Sequence, residues 1–174
     1  MRKLGFDSAL KFSGFAFIYA FFLIVFLLNF VVFPLPFEPA IVPAFVVMAI
    51  FYWAIYRPSI VPPVFCFLLG IGADLIANFP LGLHALSFTL LQWFISSQRR
   101  YLMGQPYILT WLALGLSVFV IELVRWIVLE SSDGFGAIFD NFLDFIISFL
   151  LFPIVNLALV RVHKILPAGQ REYT

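Results

Sequence analysis

Charge is what this sequence holds least of. Only 11% of its 174 residues are Asp, Glu, Lys or Arg, whereas 64% are hydrophobic. A water-soluble domain of this length carries far more ionised side chains, so the composition excludes one and points to lipid as the solvent. A single cysteine, Cys66, excludes an internal disulfide and reads as a small packing residue within its apolar run. The formal net charge of +1 gives no sign of a nucleic-acid partner. Enzymatic signatures are missing too: there is no His-Glu-x-x-His zinc helix, no Gly-x-Ser-x-Gly elbow and no phosphate-cradling glycine loop. Gly70-Ile-Gly72-Ala-Asp74 superficially resembles the Gly-x-Gly-Asp element of intramembrane aspartyl proteases. It is one residue too long, and Asp144, the possible partner, follows Leu143 rather than a tyrosine. The sequence thus offers no catalytic residue, no cofactor and no metal site.

What it does contain is a succession of long, nearly uncharged apolar runs. In hydrocarbon every backbone N–H and C=O must be satisfied within the segment, so each run is expected to be a helix. About six have suitable length, at 12–33, 39–56, 62–77, 81–95, 108–129 and 141–162. The expected fold class is all-α, a polytopic integral membrane protein with a compact bundle of transmembrane helices in one domain, 1–174. The third and fourth runs are short, and at about 1.5 Å rise per residue they barely cross a hydrocarbon core about 30 Å thick. The first run is longer than a signal-peptide core and ends in Phe-Pro-Leu-Pro, so it is expected to remain as an anchor. The C-terminus carries no prenylation pattern.

Orientation follows from the basic residues, which resist translocation when they flank a span. Arg2, Lys3 and Lys11 precede the first run, Arg57 follows the second, Arg99 and Arg100 follow the fourth, and Arg161, Lys164 and Arg171 close the chain. The alternate connections, 34–38, 78–80 and 130–140, contain none. Both termini are therefore expected in the cytoplasm. Trp53, Tyr56, Trp93, Tyr101, Tyr107 and Trp111 fall near the expected inner interface and Trp126 near the outer one, where an amphipathic ring has one wet and one apolar side. The 24 phenylalanines read as lipid-facing surface.

Against this background the polar residues inside the runs stand out. A carboxylate at the centre of a span costs roughly 2.5 to 3.5 kcal/mol even on the mildest insertion scale, so it faces protein or water and has a partner. Asp74 precedes the Asn78-Phe-Pro-Leu-Gly82 turn and His84 follows it, which puts the two at similar depth on adjacent antiparallel helices as a candidate pair. Cys66, Gly70, Ala73 and Ala77 share the Asp74 face and form a stripe of small side chains where another helix can approach closely. Glu122 and Arg125 are three apart and share a face, and Asp140, Asp144 and Ser148 follow at four-residue steps. Asp74, His84, Glu122, Arg125 and Asp144 all fall in the outer half of the membrane. If they converge, the cluster is a buried network fixing helix register, a partner interface, a water-filled or ligand-binding cavity, or a proton-coupled site.

The order of these features resembles the MreD family of bacterial rod shape-determining membrane proteins. The match lies in the Gly-x-x-x-Asp element, Gly70 to Asp74, followed by the Pro-Leu-Gly-x-His-Ala-Leu element, Pro80 to Leu86. Phe-Pro-Leu-Pro after the first run and Tyr56-Arg-Pro58 after the second fit the same pattern. The resemblance implies a non-enzymatic scaffold of the cell-elongation machinery in the inner membrane. It further implies binding to the MreC transmembrane helix and, through it, to the MreB filament, RodA and the elongation-specific penicillin-binding transpeptidase. A competing resemblance is to the substrate-binding subunits of energy-coupling-factor vitamin transporters, which share the span count and carry an Ala-x-x-x-Ala pattern like Ala16 to Ala20. The stripe on the third run would serve either to receive a partner helix or to pack helices within the chain.

Overall fold

The computed structural model describes residues 18–30, 43–129 and 135–165. Among the described residues it is all-helical, with six helices: α1 Ile18–Leu28, α2 Phe45–Tyr56, α3 Pro63–Ala77, α4 Leu83–Met103, α5 Tyr107–Leu129 and α6 Phe135–Ile165. Two stretches, Tyr107–Val128 and Phe142–Lys164, are long and apolar enough to cross a membrane, and three further apolar helices are shorter.

The core sits around α2. This helix is apolar on every side, and ten of its residues, Val46 to Ile55, are buried. A helix without a polar face has to be enclosed by others, and α2 packs against α4, α5 and α6. Its first turn is capped by side chains distant in sequence. Ala44 N–H donates to Ser148 Oγ at 2.9 Å, and Val46 N–H donates to Asn29 Oδ1 at 3.3 Å. Both bonds satisfy helix-start donors that would otherwise be orphaned in an apolar interior.

Helix α3 starts at Pro63, where the missing N–H costs nothing. It stops at Asn78, which adopts the left-handed conformation with φ 57°. The chain turns and enters α4, which lies back along α3. The small residues make this close approach possible: a Cβ on Gly70 would stand 2.2 Å from Ala85 Cα. Cys66, Gly70 and Ala73 are buried, while Ala77, at the helix end, is only partly covered. The stripe is thus occupied by α4 within the chain. Gly72, on the flank, meets the Phe26 ring of α1, with 3.3 Å between that ring and a would-be Cβ.

Helices α5 and α6 form the second antiparallel pair, and one joint fixes their register. Pro153 lies inside α6 and has no N–H for the carbonyl of Phe149, four residues earlier. The Trp111 indole N–H supplies the missing donor, at 2.9 Å, and the Trp111 and Phe149 rings stack 4.7 Å apart. Gly115, one turn along α5, leaves room for the Phe149 ring, which a Cβ would meet at 2.7 Å.

Several sequence expectations change here. The fourth run was expected to be short, yet α4 has 21 residues. Hydropathy stops at Ile95, but Ser96 to Arg100 carry no helix breaker, and the helix continues to Gly104. Likewise α6, with 31 residues, overshoots its expected limits at both ends. Trp53 is fully buried by protein rather than facing lipid, and Trp111 is held by α6. Phe22, Phe51 and Phe152 belong to the core rather than to the lipid-facing surface. The outer limits of the first run, the start of the second and the residues 130–134 lie outside the described residues.

Candidate functional site

Asp74 joins two helices with its two ends. Its backbone carbonyl accepts the Asn78 N–H and, at 2.9 Å, the Phe79 N–H, closing α3. Its carboxylate opens α4. Oδ2 accepts the Gly82 N–H at 2.8 Å, and Oδ1 accepts the His84 N–H at 2.9 Å. Oδ1 also lies 2.8 Å from His84 Nδ1, so the imidazole carries its proton on that nitrogen and donates it. The side chain of Asp74 is completely buried, and these three donors are what keep a carboxylate there. Gly82 has φ 108°, a conformation that side-chain-bearing residues rarely adopt. Open space surrounds the position of its absent Cβ, so this glycine is required by the backbone and not by crowding. Phe79 stacks on the His84 ring at 5.5 Å and Phe88 meets it edge-on.

The other three expected residues meet on α5 and α6. Arg125 Nη2 contacts Glu122 Oε2 at 3.0 Å, one turn back on its own helix, and Asp144 Oδ2 at 3.2 Å on α6. Glu122 and Asp144 are buried and Arg125 is largely covered, with 18% of its side chain exposed. One guanidinium thus holds two carboxylates and fixes α5 against α6. The structure assembles the five residues as two groups, one on α3 and α4 and one on α5 and α6, and the Arg125 charge is near enough to act on His84. Asp140 falls among residues whose side chains are outside the described set.

Ser148, which the four-residue spacing sets in line with Asp144, caps α2 together with Asn29, and Gln92 is buried on the α4 face that carries Phe88 and Ile95. Sequence reasoning singled out neither Asn29 nor Gln92 nor His163. Trp53 stacks on His163 at 5.4 Å with 5° between the ring planes, and Tyr52 and Tyr56 stand edge-on to the same imidazole. The sequence did hold one usable signal. A proline inside an apolar run marks a carbonyl in need of a donor, and an indole on the neighbouring helix can provide one. In chemical terms the two groups hold helix ends and helix pairs together. Among the described residues no three His, Cys, Asp or Glu side chains come together as a metal site.

The comparisons with known proteins agree with one another. A family model described as rod shape-determining protein MreD matches residues 11–162. The Rod shape-determining protein MreD of Haemophilus influenzae is 30% identical over 147 residues, which cover 84% of this chain and 90% of that protein. No solved structure matches.

Proposed function

This chain belongs to the MreD family of rod shape-determining proteins, and we propose that it is a non-enzymatic scaffold of the cell-elongation machinery in the bacterial inner membrane. A single transmembrane domain spans residues 1–174, crosses the bilayer about six times and leaves both termini in the cytoplasm. The observation that carries this reading is the family match from residue 11 to residue 162, which takes in all six expected runs.

The physics of the surface supports the membrane part. Leu116 and Ile127 on α5, Leu150 and Ile154 on α6, and Val64 and Leu68 on α3 are all more than half exposed. In water such a surface would aggregate, whereas in lipid it is the expected outer layer. Arg57, Arg99, Arg100, Arg161 and Lys164 gather at one end of the described helices, and Asp74, Glu122 and Asp144 at the other. By the positive-inside rule the first end is cytoplasmic.

The buried ionisable groups support scaffolding. Asp74 and His84 hold the α3–α4 turn, and Glu122, Arg125 and Asp144 hold α5 to α6. Groups used in this way give the molecule one stable shape to present to others. The partner is the transmembrane helix of MreC, with MreB, RodA and the elongation-specific transpeptidase reached through it. Because α4 fills the small-residue face of α3, that helix docks on a different surface. The family match runs against the vitamin-transporter alternative.

Purification of the chain in mild detergent from its own host should recover MreC, and depletion should round the cells. If the chain instead came out alone with a tightly bound vitamin, and depleted cells kept their rod shape, the scaffold reading would be lost.

A further inference from the structure

We propose that the cytoplasmic end of the assembly, where α2, α5 and α6 meet, holds the phosphate of an anionic phospholipid. The inference rests on the membrane orientation given above and assigns that end a ligand.

Three observations converge there. First, the local field is positive. Arg57 ends α2, Arg161 and Lys164 lie in the last turns of α6, and the carboxylates among the described residues, Asp74, Glu122 and Asp144, lie at the far end. Second, a buried donor lacks an acceptor. Trp53 Nε1–H has no hydrogen-bond partner among the described residues, and its ring is stacked on that of His163, whose buried Nδ1 is likewise unpartnered. An unmet donor in a low-dielectric interior calls for an acceptor. A phosphodiester, which carries only acceptors and a negative charge, suits both this donor and the surrounding positive charge. Third, the rim suits a lipid rather than a soluble ion. Tyr56 and Tyr107, each about half exposed, flank the position, with Asn156 beside the Tyr107 hydroxyl. Exposed Ile108 and Leu157 continue from there along the apolar surface, where acyl chains would lie. The Tyr56 ring stands edge-on to His163, and the Arg57 charge acts on the same imidazole. Basic pockets between helices on the cytoplasmic side are a general means of holding such headgroups.

The test uses the full-length protein in mild detergent, with thermal unfolding followed on adding dioleoylphosphatidylglycerol, dioleoylphosphatidylcholine or inorganic phosphate. Phosphatidylglycerol should raise the midpoint, and the other two should not at the same concentration. Arg57→Gln and His163→Phe should each lose more than half of that rise, while Arg99→Gln, which removes a charge from the same side on α4, should keep it. If His163→Phe does not fold, native mass spectrometry of Arg57→Gln against Arg99→Gln counts the retained lipid and decides in its place. Equal effects of the two lipids, equal losses in Arg57→Gln and Arg99→Gln, or a rise with inorganic phosphate alone would each overturn the assignment. None of these results would alter recovery of MreC, so failure here is separable from failure of the scaffold role.

Discussion

Replacing Asp74 by leucine should be among the most damaging single changes in the chain, and its size can be worked from the contacts. The carboxylate is fully buried and receives the Gly82 N–H, the His84 N–H and the imidazole at 2.8 to 2.9 Å. Leucine has the same branching with bulkier ends and accepts nothing, so three part-buried donors lose their partner. Each costs about 1 to 3 kcal/mol, and the lower end already gives roughly 3 kcal/mol for the set. For a chain of this length that corresponds to a fall of about 6 to 12 °C in the unfolding midpoint. An asparagine side chain at the same position would keep one acceptor oxygen and turn its NH2 toward a donor, so Asp74→Asn should cost about half as much as Asp74→Leu. The assay is thermal unfolding in mild detergent, with a double-mutant cycle to His84→Phe. The coupling should be at least about 1 kcal/mol, because the two side chains share one bond. An Asp74→Leu midpoint within about 1 °C of wild type would refute the capping account. In cells, Asp74→Leu should also impair rod shape more than Asp133→Leu, and equal tolerance of both would count against a role for the α3 face.

Gly70→Ala should destabilise far more than Gly72→Ala, because the first adds a methyl group 2.2 Å from the Ala85 backbone and the second meets only the tip of the Phe26 ring at 3.3 Å; midpoints of the two variants decide it. Trp111→Phe should cost about 1 kcal/mol by stranding the Phe149 carbonyl, and the cost should shrink in a Pro153→Ala background, where α6 regains its own N–H; a cost unchanged by Pro153→Ala would show that stacking, not the hydrogen bond, matters. Arg125→Leu leaves Glu122 and Asp144 without the cation held between them and should cost about 3 kcal/mol or more, read as lost protease resistance at the α5–α6 pair. A periplasm-active reporter inserted within 130–134 should be active, and silence there would reverse the proposed orientation.

Much of the local architecture was legible in the sequence, and what was missed has separate causes. The limits of α3 were readable because Pro62 and Pro63 open it and Asn78-Phe79-Pro80 closes it, all local signals. The end of α4 was misjudged because hydropathy falls at Ile95, whereas the helix ends where Gly104 and Pro106 end it. The proximity of Asp74 and His84 followed from their symmetric placement about one turn. That the carboxylate would cap the backbone of the next helix did not follow, since spacing gives depth and not contact. Trp53 reads as an interfacial ring near the end of its run. Its burial depends on His163 from the far end of the chain, and no window along the sequence contains both.

The pattern of use among the buried polar groups bears on what kind of molecule this is. Lipid offers no hydrophobic force between helices, so specificity must come from close packing and from polar contacts that cannot be made elsewhere. Here Asp74 fixes the α3–α4 turn, Ser148 and Asn29 fix the start of α2, Trp111 satisfies the carbonyl that Pro153 leaves open, and Arg125 fixes α5 to α6. Each of these links joins helices and fixes one arrangement of them. A substrate carrier needs polar groups that exchange partners as a ligand enters and leaves. Loss of Asp74 or Arg125 should therefore first appear as loosened helix packing and reduced retention of MreC, before any change in a small-molecule equilibrium.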